Sequence, residues 1–201
     1  MQEQRKVVDV DRTAIKPRRF VFVLLDNFSL LSFASALESL RIANRMAGRT
    51  IYAWSLIGEG GETVRCSSET QFTLDSDLSE LNRDDTVLLC GGIDVQVATT
   101  RRVLGWVRRE ARKGLVIGGL CTAAYTLAKA GLLDGKKATI HWENADSFAE
   151  DFDDVALTKS VFVIDGNRMT TAGGTSSIDS NRLNSGVGLC GVSVLMRQTI
   201  L

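Results

Sequence analysis

The chain has 201 residues, with 24 basic and 24 acidic side chains and a formal net charge of zero. A hydrophobic fraction of 44% and a charged fraction of 24% are ordinary for a globular protein and exclude an intrinsically disordered one. The balanced charge disfavours direct nucleic-acid binding, which usually needs a basic domain. No apolar run reaches the roughly 18 residues of a membrane span. We therefore expect a cytoplasmic protein that does not contact a membrane.

Residues 1–18 are predicted to form a charged leader, and residues 19–201 a single domain. The domain opens with FVFVLL at 20–25, a continuous apolar run typical of a strand buried on both faces. A helix is predicted over 32–48, with Ser32 as its N-cap and Gly48 as its C-terminal stop. Further strands are predicted at 51–58, at 62–66 and 70–74 as a small hairpin, and at 85–92.

A second helix is predicted over 95–113, where an apolar face adjoins a solvated face of six cations, Arg101, Arg102, Arg108, Arg109, Arg112 and Lys113. The remaining predicted elements are a buried strand at 115–119, a short helix after Cys121, a strand at ATIHW, a helix at 143–150, a hairpin at 160–171 and a last helix opening at 172. Strands alternate with helices almost throughout. This alternation predicts an α/β fold, with a mostly parallel sheet covered by helices on both faces.

Metal ligands are scarce in this chain. The four cysteines, Cys66, Cys90, Cys121 and Cys190, lie far apart without a C-x-x-C pair, and His141 is the only histidine. A structural zinc site is therefore not expected, and no metal or cofactor is predicted.

One cysteine lies in a context that suits nucleophilic chemistry. Cys121 follows a buried strand directly and precedes a helix, which is the arrangement of a nucleophile elbow. We expect it in strained backbone geometry, with its thiolate favoured by the helix N-terminus. Gly91 and Gly92 end another strand, and their amides could face an anion. His141, at the next predicted strand, is expected nearby and would complete a Cys–His pair.

Each of these residues also has a structural interpretation. A cysteine after a buried strand is often an inert small residue. A histidine before a tryptophan is often a hydrogen-bonded structural residue, and a Gly-Gly pair is common at tight turns. The residues alone leave both interpretations open.

Several segments together resemble a known superfamily. LLCGG, GGLCTAAYTLAKAGLLDGKKATIHW and TTAGGTSSID occur in the order found in the ThiJ/PfpI superfamily of class I glutamine amidotransferase-like domains. FSLLSFASALESLRIANRMAGR, at 28–49, is more similar still to the N-terminal domains of AraC/XylS-type, GlxA-like transcriptional regulators. The resemblance covers about residues 20–179 and implies a flavodoxin-like fold.

The chain departs from the enzymes of this superfamily at one decisive place. Those enzymes carry an acidic residue near the start of the first helix, beside the cysteine. Here that place falls near Ser32 or Phe33, neither of which is acidic, and Glu38 lies two turns further along the helix. Ala123 also stands where the regulator branch usually has glycine. Without the acid, proton transfer and thiolate control are both weakened.

The resemblance therefore implies a sensor rather than an enzyme: a ligand-sensing, dimerising domain that binds a small amine or amino-acid-like metabolite in an enzyme-derived pocket. Such regulators normally continue into a C-terminal pair of helix-turn-helix units, so DNA would be bound only through a C-terminal domain outside this chain. Residues 180–201 match the family's closing helix poorly. Cys121 and His141 would be vestigial catalytic residues. The candidate ligand-binding residues are Ser32, Gly91, Gly92, Cys121, Thr122, His141 and Trp142.

Two other functions remain open from the sequence. One is a free-standing ThiJ/PfpI-like hydrolase, hydratase or glyoxalase that uses Cys121 and His141. The other is a redox-responsive interaction domain that detects oxidation of Cys121.

Overall fold

The computed structural model describes residues 16–174. Its strands are β1 (Arg18–Leu24), β2 (Tyr52–Ile57), β3 (Thr63–Arg65), β4 (Gln71–Thr73), β5 (Thr86–Cys90), β6 (Val116–Leu120), β7 (Lys137–Ala138), β8 (Ala156–Leu157), β9 (Phe162–Asp165) and β10 (Arg168–Thr171). Its helices are α1 (Leu30–Ala47), α2 (Val95–Ala98), α3 (Arg101–Ala111), α4 (Ala124–Lys129) and α5 (Ala145–Asp151). Single 3-10 turns lie at Cys121–Ala123 and Trp142–Asn144.

The central sheet has the strand order β2-β1-β5-β6-β10-β9. Its first five strands are parallel, and β9 is antiparallel to β10. The strands β3 and β4 form a separate antiparallel pair, as predicted for the small hairpin. The structure thus confirms the mostly parallel α/β fold.

Both faces of the sheet are covered, which explains the uninterrupted apolar runs. Side chains of a strand alternate between faces, and in β1 Phe22 packs under α1 while Val21 and Val23 belong to the opposite cluster. All three side chains are fully buried. On the second face they pack with side chains of α3 and α4, including Val107 and Leu127.

The first helix begins earlier than predicted. Its N-cap is Ser29 rather than Ser32, because the Ser29 hydroxyl accepts a hydrogen bond from the Ser32 amide (3.4 Å). The Ser32 hydroxyl in turn donates a hydrogen bond to the Ser29 hydroxyl (3.2 Å). Gly48 ends the helix as predicted, in the left-handed conformation (φ 63°) that favours glycine.

Two other predicted elements are shorter in the structure. The helix predicted over 95–113 is divided into α2 and α3, because Thr100 caps α3 by accepting a hydrogen bond from the Val103 amide (3.1 Å). The strand predicted at ATIHW is reduced to β7. The amide of Thr139 donates to the Thr170 hydroxyl (2.8 Å) instead of extending a strand ladder.

Some predictions fall outside the described residues. These are most of the charged leader, the last helix beyond residue 174, Cys190 and the segment 180–201. Within residues 16–174, no helix combines the length and apolar character needed to cross a membrane.

Candidate functional site

Cys121 occupies a sharp strand-to-helix turn. It follows β6 directly and has φ 61°, in the left-handed region that residues with side chains rarely adopt. Small neighbours allow the turn to close, since a Cβ on Gly91 would lie 2.6 Å from the Ala123 amide nitrogen. Likewise, a Cβ on Gly119 would lie 2.8 Å from the Ala124 amide nitrogen. The predicted strained elbow is confirmed.

Ser32, one of the two residues that the resemblance places near the enzymes' acid, lies beside Cys121. Its hydroxyl lowers the pKa of the Cys121 thiol, donates a hydrogen bond to the Ser29 hydroxyl (3.2 Å) and accepts one from the Gly174 amide (3.0 Å). Phe33, the other candidate for that place, is instead buried in the core against Phe22. Glu38 lies on the surface, ion-paired with Arg41.

The Cys121 thiol does not have the thiolate character expected from the helix N-terminus. Burial raises the pKa of the Cys121 thiol, and the residue is only 6% exposed. Contacts with the Ser32 and Ser29 hydroxyls and the Thr122 amide lower this pKa, but they do not reverse the shift. The charge of Glu143 raises it further. Because α4 has six residues and starts three positions later, its dipole is a weak counterweight.

His141 lies against Cys121, as predicted. Its amide donates to the Cys121 carbonyl (3.3 Å). The position that a Cβ on Gly173 would take lies 3.2 Å from His141 Cδ2 and 3.3 Å from Cys121 Sγ. The His141 ring and the Cys121 sulfur therefore both border the space that a side chain at position 173 would fill.

Glu143 is a site residue that sequence reasoning missed. One of its carboxylate oxygens lies 3.6 Å from His141 Nδ1, and its side chain is 64% exposed. It stands two positions after the only histidine, and that spacing was the available signal.

Gly91, Gly92 and Thr122 hold the elbow in place. The Gly91 amide donates to the Leu120 carbonyl (3.3 Å), so the expectation that it faces an anion is wrong. A Cβ on Gly92 would overlap the Asn27 carbonyl oxygen. The Gly92 carbonyl accepts a hydrogen bond from the Thr122 hydroxyl (2.8 Å). Of the two glycines, only Gly92 keeps an amide without a hydrogen bond inside residues 16–174.

Trp142 lies at the rim of the site rather than inside it. The side chain is 71% exposed, and its ring centroid lies 5.8 Å from that of His141. The structure thus brings together Ser32, Cys121 and His141, while their binding role, and that of the remaining candidates, stays a prediction. In the described part of the chain, no three His, Cys, Asp or Glu side chains are arranged to hold a metal ion.

Known proteins share the sequence and fold of this domain. The chain is 40% identical over 163 residues to the HTH-type transcriptional regulator GbdR of Pseudomonas aeruginosa, covering 81% of this chain and 44% of that protein. It is also 40% identical over 163 residues to the HTH-type transcriptional regulator GlxA of Rhizobium meliloti, covering 81% of this chain and 50% of that protein. The chain therefore spans about half the length of these curated relatives.

A solved structure of an AraC family transcriptional regulator from Pseudomonas putida has the same fold. Its TM-score is 0.69 at 23% identity, covering 92% of this chain and all of that one. The model of the DJ-1/PfpI family matches residues 18–183, most of the chain. The resemblance to the ThiJ/PfpI superfamily and to GlxA-like regulators is thereby confirmed. The chain belongs to the DJ-1/PfpI family.

Proposed function

We propose that this domain is the ligand-sensing and dimerising part of an HTH-type, AraC-like transcriptional regulator. The proposal is carried by one observation: the elbow retains Cys121, yet the residue of α1 that acts on its thiol is Ser32, which is not acidic. A serine hydroxyl exchanges hydrogen bonds but does not hold a transferable proton near neutral pH. The identity to GbdR and GlxA supports the regulator assignment.

The proposed effector is a small amine or amino-acid-like metabolite. Its site would be formed by the seven predicted residues, with the Ser32 hydroxyl and the His141 ring beside Cys121 as the central polar groups. The Gly92 amide supplies a donor, and the exposed indole of Trp142 supplies a rim. A few convergent polar groups against a buried wall are typical of small-molecule sites.

DNA recognition would belong to a C-terminal domain outside this chain, in a cytoplasmic homodimer. The net charge of this chain is zero, and four of the six cations at 101–113 are engaged within the domain. Arg102 pairs with Asp77, Arg108 donates to the Ala130 carbonyl (3.1 Å), and Lys113 pairs with Glu110 (2.8 Å). Phosphate binding requires available cations. An operator with two-fold symmetry would be bound by a symmetric dimer, which needs two copies of the domain.

A fluorescence-anisotropy titration on the native promoter tests this division. The full-length protein should bind with strong salt dependence, and the 201-residue chain should not bind. Sedimentation of the chain should give a dimer. Sequence-specific binding by the chain alone, or a monomer at high concentration, would contradict the proposal. A thermal-shift screen of amines and amino acids should then find the effector, with a smaller shift for Ser32→Ala.

A cysteine enzyme is the second candidate, favoured by the contact between His141 and Glu143. The thiol of Cys121, the imidazole of His141 and the carboxylate of Glu143 together could support nucleophilic catalysis. Turnover of an amide, ester or aldehyde that Cys121→Ser abolishes would establish this function instead. The redox alternative is less well supported, because oxidation follows thiolate character and exposure, and Cys121 has little of either.

A further inference from the structure

A cleft of about 560 Å³ opens at the carboxyl end of β1. Its walls come from four separate segments: the end of β1 at 24–27, Glu59 after β2, the β3-β4 hairpin, and residues after β5 between Asp94 and Val103. None of the seven predicted binding residues lines it. Asn27, which lines the cleft, is held to the segment after β5, because its carbonyl accepts a hydrogen bond from the Ile93 amide (3.1 Å).

The cleft lies at the point where the strand order of the sheet reverses. The chain leaves β1 through α1 and enters β2 on one side of it, and β5 then pairs with the other side. In open α/β sheets, ligands bind beyond the carboxyl ends of the strands at such a switch point. The volume is also within the usual range of small-molecule sites, about 300–1,000 Å³.

The lining combines an apolar floor with an acidic rim. Leu24, Leu25 and Val103 are buried at the floor. The charged lining residues are Asp26, Glu59, Asp94 and Arg65. Carboxylates therefore outnumber cations around the opening, and the cleft favours a positively charged occupant.

Two of these carboxylates are available to such an occupant. Glu59 accepts a hydrogen bond from the Thr100 hydroxyl (2.7 Å), and Arg65 is ion-paired with Glu69 (2.9 Å). By contrast, the side chains of Asp26 and Asp94 form no hydrogen bond or ion pair within residues 16–174. Asp94 precedes α2 without capping it, which leaves its carboxylate free.

The composition of the lining also selects the kind of cation. Quaternary ammonium groups are recognised by aromatic rings, and no aromatic side chain lines this cleft. Free carboxylates instead suit cations that donate N–H hydrogen bonds. We propose that the cleft is a second ligand site, which binds a primary ammonium or guanidinium group on an aliphatic chain. Asp26 and Asp94 hold the cation, and the chain packs on Leu24 and Val103.

Calorimetric titration of the 201-residue chain tests this site with named probes. 1,4-Diaminobutane and agmatine should bind saturably, whereas choline and succinate should bind at least about tenfold more weakly. The double variant Asp26→Asn, Asp94→Asn should weaken binding of the diamine by about tenfold or more, the effect of losing charge-assisted hydrogen bonds. Asp84→Asn, an exposed carboxylate before β5, is the matched control and should leave affinity unchanged.

The same titrations distinguish binding in the cleft from binding in the proposed effector pocket at Cys121. The proposal of a second site does not depend on that effector pocket. If Ser32→Ala abolishes diamine binding and the aspartate variant does not, the ligand occupies the Cys121 pocket and the second site is refuted. If neither diaminobutane nor agmatine binds, or choline binds as tightly, the second site is also refuted. The promoter titration tests the proposed function separately, so failure of the second site would not contradict the regulator assignment.

Discussion

Ser32 contacts the thiol of Cys121 from the first turn of α1. The Ser32 hydroxyl also donates a hydrogen bond to the Ser29 hydroxyl (3.2 Å) and accepts one from the Gly174 amide (3.0 Å). A hydroxyl there lowers the pKa of the thiol but gives it no acidic partner. The nucleophile is therefore retained in a site that lacks one component of the enzymes' proton-transfer machinery.

The first prediction concerns the reactivity of Cys121. Burial holds the pKa of this thiol above its ordinary value, so its thiolate fraction grows only in alkaline solution. Alkylation of Cys121 by iodoacetamide at pH 7 should be slower than that of free cysteine, and it should rise steeply above pH 9. Ser32→Ala removes a contact that lowers the pKa, so alkylation should slow further. Mass spectrometry of the Cys121 peptide measures both rates.

Ser39→Ala is the control for that experiment. Ser39 lies on the same helix, but its hydroxyl donates to the Ser35 carbonyl (2.8 Å). Its replacement should leave the alkylation rate unchanged. A wild-type rate at pH 7 above that of free cysteine would contradict the protonated thiol.

The second prediction is that the domain does not turn over generic amidase, esterase or methylglyoxal substrates. General acid–base help contributes about 10²–10⁴ in rate, so its weakening at Ser32 should bring activity to background. Steady-state assays of the wild-type chain and Cys121→Ser should give equal rates. Activity that depends on Cys121 would overturn the regulator assignment in favour of an enzyme.

The third prediction concerns the two glycines after β5. A Cβ on Gly91 would lie 2.6 Å from the Ala123 nitrogen, and one on Gly92 would lie 2.6 Å from the Ser29 nitrogen. Backbone atoms cannot move aside as flexible side chains do. Gly91→Ala and Gly92→Ala should each lower the free energy of unfolding by about 1–3 kcal/mol or more, measured in urea.

Gly105→Ala is the control in the urea unfolding experiment, and we expect it to raise the free energy of unfolding. Gly105 lies inside α3, and a Cβ there would meet no atom within 4 Å. Alanine should raise stability by about 0.5–1 kcal/mol, because it favours helix and restricts the unfolded chain. Equal effects at Gly92 and Gly105 would show that the packing around the elbow is unimportant.

The sequence predicted the elements whose signals are local. The apolar run at 20–25 corresponds to the buried strand β1, and the strand–Cys121–helix order corresponds to the elbow. The start of α1 was predicted wrongly. Its N-cap is Ser29 and not Ser32, and serine is a favoured N-cap residue at either position.

Properties that depend on residues far apart in the chain could not be predicted from local sequence patterns. The thiol pKa depends on how deeply Cys121 is buried and on contacts with α1, which spacing along the chain does not reveal. The cleft joins Asp26, Glu59 and Asp94, which share no motif. Only the fold brings their segments to one edge of the sheet.

A buried carboxylate on α3 shows the same dependence on tertiary structure. Glu110 is fully buried, although it lies among the cations of a helix face predicted to be solvated. It pairs with Arg109 (2.9 Å) and Lys113 (2.8 Å) and accepts a hydrogen bond from the Leu81 amide (3.2 Å). The carboxylate thereby fixes the loop before β5 against the helix.

The last prediction follows from the titration of Glu110. Burial raises the pKa of this carboxyl, but Lys113, Arg109 and the Leu81 amide together hold it below its ordinary value of 4.5. A lowered folded-state pKa stabilises the protein above about pH 4.5, and this stabilisation is lost as the pH falls through the folded-state value. Glu110→Gln should therefore lower the free energy of unfolding at pH 7 by about 1–3 kcal/mol and flatten its decline in acid. Urea unfolding between pH 3 and 7 measures both effects, with Glu80→Gln as an exposed control that also pairs with Lys113. An equal loss in the two variants, or an unchanged acid profile for Glu110→Gln, would show that the partners of this buried carboxylate do not stabilise the fold.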